Sequence, residues 1–325
     1  MECGTLAVEP LPDIRVTSTA GDATTDATGA FSIVESGSGT VTVTSTITGQ
    51  YFTVSDASGN PASLSLTVTP PGPANFLHED PASPPQLVLA QLNAYKHANE
   101  IRALVLDYVP EYPVIADELS FQINVNRTGE SIKDLCPGTG GAWYDGDRYP
   151  PSINFCQRTA ERANTAMGTI VHHEYGHHLI DVAGSGQDEY GEGMADTVAL
   201  LFTKDPRLGI GYDLVCGEPM RLADRFCEFS ETDCSSCGSN VNDCGALLSG
   251  TIWDIWQNLD VTEPEDADDL IRSLVLSSIP MHTGNSIDPT LAIDLLTLDD
   301  DDGMLENGTP HYEEICSAFQ LHGMD

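Results

Sequence analysis

Two histidines four residues apart, with a glutamate beside the first, form the pattern in this sequence whose chemistry is most specific: His173-Glu174-Tyr175-Gly176-His177. On a helix, side chains four positions apart lie on one face, so His173 and His177 can present two imidazole nitrogens to one ion, typically Zn2+. Glu174 then lies beside the metal, where it can act as a general base toward water made acidic by that metal. The pattern therefore predicts metal-assisted hydrolysis as well as a metal site.

Apolar residues at helical spacing surround this pattern. Met167, Ile170 and Val171 precede it, and Leu179 and Ile180 follow it. This spacing predicts a partly buried helix that carries both histidines. The alternative is a surface helix that happens to be rich in histidine.

A pair of acidic residues opens the next helical stretch, at Glu192 and Asp196. Glu192 can supply a third protein ligand, which leaves the fourth tetrahedral position open, as a catalytic zinc site requires. Asp196 lies one turn later and can accept the remaining N–H of a ligand histidine, which fixes the orientation of that ring. The alternative is a helix start that is enriched in acidic residues because they favour the helix dipole.

The HExxH pattern followed by a Gly-Glu-x-x-x-Asp helix resembles the thermolysin-like peptidases, and within them the fungalysin family, over about residues 76–325. Other segments resemble that family too: Asn93-Ala94-Tyr95-Lys96-His97-Ala98-Asn99, Ser249-Gly250-Thr251-Ile252-Trp253-Asp254, Asn307-Gly308-Thr309-Pro310-His311-Tyr312 and Ala318-Phe319-Gln320-Leu321-His322-Gly323. The resemblance implies an α+β, two-lobed zinc endopeptidase that cleaves proteins or peptides. His173, His177 and Glu192 would bind the zinc ion, and Glu174 would be the base.

The substrate-binding side of the sequence departs from that family. Thermolysin-like enzymes hold the substrate backbone with an Asn-Ala pair on an edge strand, and Gly141-Ala142-Trp143-Tyr144 takes that place here. Ala142, Trp143 and Tyr144 are the expected substrate contacts, without the asparagine side chain.

The family's oxyanion-stabilising histidine is also missing, because its place falls on Asn242 or Leu247. Loss of such a donor costs on the order of a hundredfold in rate. His282 and His311 are candidate replacements, and the alternative for each is an ordinary loop or helix-start histidine. These departures keep a second function open, that of a zinc-binding but weakly active or inactive extracellular binding protein. An exopeptidase is a third possibility, although no terminus-anchoring charge is evident.

The strongly acidic composition limits the partners of the chain. The 325 residues carry a net charge of -37 and only three lysines, so like-charge repulsion disfavours nucleic acids and anionic membranes. No apolar run approaches the roughly 18 residues that span a bilayer. We expect a secreted monomer whose signal segment is not part of this sequence.

Nine cysteines support an extracellular setting, and five of them lie within residues 216–244. That interval is poor in apolar residues, so disulfides are expected to hold it in shape. The alternative is a structural zinc knuckle formed by Cys227, Cys234, Cys237 and Cys244. Cys136 and Cys156 bracket the proposed substrate strand and are expected to pair. The odd number of cysteines leaves one thiol unpaired, for which Cys3 is the candidate.

The first 75 residues differ in character from the rest. Thr, Ser, Val and Gly alternate over residues 11–70, which predicts a small all-β sandwich, and Thr69-Pro70-Pro71-Gly72-Pro73 predicts a stiff linker. The segment Thr25–Phe31 resembles carboxypeptidase-regulatory-like modules. A spacer role is expected for this region, and the alternatives are a remnant of a pro-region or a binding module. The peptidase-like domain then covers residues 76–325, with a mixed upper lobe over about 76–188 and a mainly helical lower lobe over about 189–325. Apolar spacing predicts helices over residues 87–108, 220–229, 246–259, 267–278, 291–298 and 311–322.

A short acidic run near the end of the chain provides hard oxygen ligands that suit Ca2+: Asp299, Asp300, Asp301 and Asp302. The spacing does not match an EF-hand. The alternative is a solvated acidic loop ahead of a helix that Thr309 caps.

Overall fold

Segments with alternating apolar residues early in the chain form strands. Most later segments with apolar residues at helical spacing form helices, so the fold is α+β. The computed structural model describes residues 6–35, 37, 39–59, 61–78, 85–129, 136 and 141–324. The first of its two units comprises Met1–Glu100, Glu118–Val171 and Ile210–Glu218. The second comprises Ile101–Asp117, His172–Gly209 and Pro219–Asp325. The predicted boundary between the two lobes lies near residue 188. The observed boundary lies earlier, because His172–Gly209 pack within the second unit.

The first unit contains a mixed sheet. Its strands are β1 (Ile14–Ser18), β2 (Gly21–Thr24), β3 (Val41–Gly49), β4 (Phe52–Asp56), β5 (Ser63–Val68), β6 (Phe121–Arg127), β7 (Ala142–Asp145) and β8 (Ser152–Cys156). Their order is β2-β1-β3-β4-β6-β8-β7, and β5 pairs with β3 outside this path. β4, β6 and β8 run parallel, whereas β7 pairs antiparallel with β8 at the end of the sheet.

The sheet differs from the free-standing sandwich predicted for residues 1–75. The alternation did locate strands correctly, as in β3, where Val41, Val43 and Ile47 are buried. However, β4 pairs along its whole length with β6, so the N-terminal strands continue into the sheet of the following region. Alternation shows which face of a strand is buried, but it does not identify the strand that pairs with it.

One long helix, α1 (Gln86–Tyr108), confirms the helix predicted from Leu87 to Tyr108. Near its middle, Lys96 Nζ lies 2.7 Å from Glu9 Oε2 and 2.7 Å from Glu100 Oε1, and His97 Nδ1 lies 2.9 Å from Glu100 Oε2. Burial opposes the charge on Glu100, but His97 and Lys96 outweigh burial and lower its pKa to about 2. This cluster ties the start of the described chain to the helix.

The other helices are α2 (Gly168–Ala183), α3 (Glu189–Thr203), α4 (Val241–Thr262), α5 (Ala267–Ser278), α6 (Thr290–Asp299) and α7 (Tyr312–Leu321). Two short strands, β9 (Arg207–Leu208) and β10 (Arg221–Leu222), pair antiparallel. A helix predicted for residues 220–229 is therefore wrong, because its first residues pair with β9 instead. No helix within the described residues is long and apolar enough to cross a membrane.

Glycines allow α3 to pack very closely against both neighbouring helices. A Cβ on Gly176 of α2 would lie 2.8 Å from the Ala195 Cα of α3, and a Cβ on Gly193 of α3 would lie 2.5 Å from the Gly245 oxygen of α4. Real Cβ atoms do not approach other atoms so closely, so these positions accept only glycine without movement of the helices. The close packing fixes the position of α3 along its axis and its rotation about that axis, and α3 carries Glu192.

Disulfides confirm one predicted pair and decide between the two readings of the cysteine-rich segment. Cys136 pairs with Cys156, as predicted. Cys227 pairs with Cys237 and Cys234 pairs with Cys244, so these four thiols do not form a zinc knuckle. Cys216 is disulfide-bonded as well, and Cys316 has a free thiol. Cys3, the predicted unpaired residue, lies outside the described residues.

Candidate metal centre

Three side chains converge in the second unit on a point between α2 and α3. The Nε2 atoms of His173 and His177 are 3.1 Å apart. Glu192 Oε2 lies 3.4 Å from His173 Nε2, and its Oε1 lies 3.7 Å from His177 Nε2. The structure thus brings together all three residues that the sequence predicts as metal ligands.

Two neighbouring side chains determine which nitrogen of each imidazole carries a proton. The Asp196 carboxylate accepts from His173 Nδ1 at 2.7 Å, the contact predicted for this residue. The Gln187 amide donates its Nε2–H to the His177 carbonyl at 3.0 Å, so its Oε1, 2.9 Å from His177 Nδ1, must accept there. Both Nδ1 atoms therefore carry protons, and both Nε2 atoms are free to act as ligands.

The converging atoms fit a tetrahedral zinc ion. Zinc–nitrogen bonds of roughly 2.0–2.1 Å at tetrahedral angles separate neighbouring ligand atoms by about 3.3 Å. The three separations of 3.1, 3.4 and 3.7 Å bracket that value. Two imidazole lone pairs and a carboxylate cannot satisfy one another without a positive charge between them, so the donor set is suited to a cation.

The pKa values of the two histidines also indicate that the neighbouring carboxylates favour one positive charge at this point. Burial opposes protonation of His173, but the Asp196 and Glu192 carboxylates outweigh burial and raise its pKa to about 10. Burial, together with the charge on His173, lowers the pKa of His177 to about 4. Without a metal ion, one proton beyond the two Nδ1–H protons would lie on His173 Nε2, and a bound metal ion would replace it.

Glu174 is buried next to this cluster but is not one of its three converging side chains. Burial raises its pKa to about 7; His173 opposes this shift and Glu192 reinforces it. A carboxyl group with a pKa near neutrality can both accept and release a proton at physiological pH, as general acid–base catalysis requires.

Arg221 is a residue of the site that the sequence did not predict. Its Nη2 lies 2.5 Å from Asp196 Oδ1, 3.2 Å from His173 Nδ1 and 3.8 Å from Glu192 Oε2. It belongs to β10, whose two residues reach the site only because they pair with β9. Gln187 was also missed, since it lies in the α2–α3 loop and belongs to no motif.

The two histidines predicted as oxyanion donors have other partners. His282 packs its ring against Tyr190 with centroids 3.9 Å apart, and His311 Nδ1 lies 2.5 Å from Asp299 Oδ1. Among the described residues, no hydrogen bond or ion pair joins either histidine to the metal cluster. The catalytic role predicted for them gains no support, and the structural alternatives account for their contacts.

The predicted substrate-binding residues Ala142, Trp143 and Tyr144 form most of β7, which is an end strand of its sheet as expected. The Trp143 carbonyl accepts from Asn154 Nδ2 at 3.2 Å, and the Arg127 guanidinium lies 5.6 Å from the centre of the Trp143 indole ring. All three side chains are half-buried, so part of each remains accessible on its own unit.

The acidic run divides into two parts. The buried Asp299 Oδ2 accepts from Thr309 Oγ1 at 2.6 Å and from the His311 amide at 2.7 Å, so Asp299 holds the start of α7. Asp300, Asp301 and Asp302 place carboxylate oxygens close together, but Asp302 already accepts from Met304 and Asn307. Calcium binding there stays a prediction.

The histidine-bearing helix, the acidic helix after it and the mixed sheet are consistent with a thermolysin-like metalloprotease fold. Among solved structures, the chain is similar to the precursor of protealysin, a metalloproteinase from Serratia proteamaculans. The TM-score is 0.59 at 10% sequence identity, and the match covers 86% of this chain and 89% of that one. No family model and no curated protein sequence matches the chain.

Proposed function

We propose that the protein is a zinc-dependent endopeptidase that hydrolyses peptide bonds in protein or peptide substrates, with a fungalysin-like active site. The observation that carries this proposal is the convergence of His173, His177 and Glu192 at separations of 3.1–3.7 Å. The Nδ1 atoms of the two histidines bond to Asp196 and Gln187, which leaves the Nε2 atoms to face a cation. The similarity of the fold to a metalloproteinase precursor supports the same class of activity.

When bound, a zinc ion supplies Lewis-acid polarisation of a peptide carbonyl and makes water acidic near neutral pH. Glu174 takes the proton from the attacking water and passes it to the leaving amine nitrogen, a transfer that its pKa of about 7 favours. Asp196 keeps His173 in the ligating tautomer. Arg221 balances the carboxylates of Asp196 and Glu192.

A second candidate function is a zinc-binding protein with little or no peptidase activity. It is favoured by one observation: His282 and His311 have other partners, so neither of these two candidates replaces the oxyanion donor missing from positions 242 and 247. In that case the metal centre would persist as structure, while substrate turnover would be lost.

Substitution of Glu174 by Gln distinguishes the two functions. If the protein is a peptidase, Glu174→Gln keeps one equivalent of zinc and loses about 10²–10⁴-fold in kcat/KM on an unfolded protein such as casein. The matched control is Glu189→Gln, on the first turn of α3 but outside the cluster, which should keep full activity. Zinc binding without cleavage by the wild type, and no effect of Glu174→Gln, would support the binding protein.

We also propose that the protein acts outside the cell. The pairs Cys136–Cys156, Cys227–Cys237 and Cys234–Cys244 support this setting, because disulfides persist in oxidising compartments. A monomer and a calcium ion at Asp300–Asp302 remain predictions; analytical ultracentrifugation and calcium titration of the zinc-loaded protein test them.

A further inference from the structure

The loop between α2 and α3 makes contacts that the reaction described above does not explain. Gln187 lies in this loop and bonds to His177 twice, through Oε1 to the ring Nδ1 at 2.9 Å and through Nε2 to the backbone carbonyl at 3.0 Å. Because one amide holds both groups, the imidazole cannot rotate about its side-chain bonds without breaking the contact to Nδ1.

The backbone on either side of Gln187 is itself held by a second loop. The Ser185 hydroxyl, which is buried, lies 2.9 Å from the Ile279 carbonyl and 2.6 Å from the His282 carbonyl. The Gly186 amide donates to the Gly284 carbonyl at 3.0 Å. These bonds fix the position of residues 185–186 before any side chain of the loop is considered.

Two further features make this anchoring tight. The Tyr190 amide donates to the Asn285 carbonyl at 3.0 Å, which ties the start of α3 to the same second loop. At Gly186, an added Cβ would lie 2.6 Å from the Gly284 oxygen and would overlap the Asn285 amide. The loop therefore holds the Gln187 backbone in place even though the Gln187 side chain is exposed at the surface.

The two ligand histidines are consequently oriented by different chemistry. A buried carboxylate, Asp196, orients His173, and Arg221 in turn neutralises that carboxylate. A neutral amide orients His177, and it adds no negative charge to a cluster that already contains Glu192, Asp196 and Glu174.

We infer that Gln187 is a positioning residue for the metal: it holds His177 in the Nδ1–H tautomer and in the ring orientation that points Nε2 at the cation, and the Ile279–Asn285 loop keeps Gln187 in place. The inference rests on the proposed zinc site and names a residue of this chain that sets its affinity. Partners of this kind typically change metal affinity by about 10–100-fold. Because the Gln187 side chain is exposed and water can partly replace it, the effect should lie near tenfold.

The test measures zinc affinity by competition with a chelator, and the visible spectrum of the Co2+-substituted protein as a probe of coordination. Gln187→Leu removes both hydrogen bonds at similar volume and should weaken zinc binding about tenfold with an altered Co2+ spectrum. Gln187→Glu keeps an acceptor facing Nδ1 and should restore affinity to within about threefold of the wild type. Asp188→Asn, the neighbouring exposed residue, should leave both readouts unchanged.

The outcomes separate this inference from the proposed function. If the wild type binds no zinc, or if His177→Ala does not abolish binding, the zinc site itself is wrong. If the wild type binds zinc through His177 but Gln187→Leu binds it equally well, only the positioning role is overturned. Equal losses in Gln187→Leu and Gln187→Glu, with a lower melting temperature in both, would show a structural role in the loop and would also overturn it.

Discussion

Substitution of Gly193 by Ala should damage the metal centre without touching any ligand. Gly193 follows Glu192 directly and packs against α4, where its added Cβ would lie 2.5 Å from the Gly245 oxygen and 2.9 Å from the Leu248 Cβ. An ordinary contact begins near 3.4 Å, so α3 and α4 must move apart by roughly 0.9 Å at this point. Overpacking of this kind costs about 1–3 kcal/mol, of which the better helix propensity of alanine offsets up to about 1 kcal/mol.

The same movement should weaken zinc binding. The Glu192 oxygens lie 3.4 and 3.7 Å from the two histidine Nε2 atoms, already at or slightly beyond the tetrahedral separation. A further displacement of several tenths of an ångström would move the carboxylate out of ligating geometry. We therefore expect a zinc dissociation constant at least about tenfold higher, comparable to the loss of an orienting partner.

Thermal unfolding of the metal-free protein and chelator competition measure the two effects separately. A net loss of about 1–2 kcal/mol corresponds to a melting temperature lowered by about 1.5–3 °C in a chain of 325 residues. Gly39→Ala is the control, because its Cβ would meet nothing within 4 Å and the variant should behave as the wild type. Gly245→Ala, which approaches Gly193 from the other helix, should reproduce both defects. Wild-type stability together with wild-type zinc affinity in Gly193→Ala would refute the argument that this close approach positions Glu192.

Two further substitutions test the electrostatics of the two units. Glu100→Gln should lower the free energy of unfolding by about 1 kcal/mol at pH 7, because the partly exposed carboxylate is stabilised by Lys96 and His97. The pKa of Glu100 is lowered from 4.5 to about 2, so its contribution to stability is present above pH 4.5 and is lost as the pH falls toward 2. Urea unfolding should therefore show a smaller difference in stability between the wild type and Glu100→Gln at pH 2.5 than at pH 7. Arg221→Met should destabilise the metal-free protein by about 2 kcal/mol, because the buried Asp196 loses its hydrogen bond to the guanidinium and keeps only His173 as a positively charged partner. Saturating zinc should reduce this loss of stability, because the metal ion supplies positive charge near Asp196. Equal losses of stability with and without zinc in calorimetry would contradict this explanation.

Local patterns predicted the parts of the site that lie on helices. The four-residue spacing of His173 and His177 and that of Glu192 and Asp196 each place two side chains on one helix face, so their convergence required only that the two helices pack together. The glycines at 176 and 193 permit that packing, and the sequence contained them without indicating which neighbours they would meet. Helical periodicity likewise predicted α1, α5, α6 and α7 close to their observed bounds.

Contacts that depend on tertiary structure could not be predicted in the same way. Arg221 reaches Asp196 because β10 pairs with β9, and a two-residue strand leaves no periodic signal. Gln187 reaches His177 because a distant loop holds its backbone. The pairing of β4 with β6 was missed for a related reason, since an alternating strand has the same pattern whichever partner it joins.

Charge is distributed unevenly among the acidic residues around the candidate metal centre. Glu174, Glu192 and Asp196 are all buried or nearly so, and a cluster of three carboxylates would favour protonation of each of them. Burial raises the pKa of all three acids, but His173 outweighs burial at Glu192 and Arg221 and His173 outweigh it at Asp196. Those two acids stay ionised, whereas burial raises the pKa of Glu174 to about 7. The amide of Gln187 orients the second histidine without adding a fourth negative charge. Near neutral pH the Glu174 carboxyl can therefore gain or lose a proton, whereas the Glu192 and Asp196 carboxylates stay ionised.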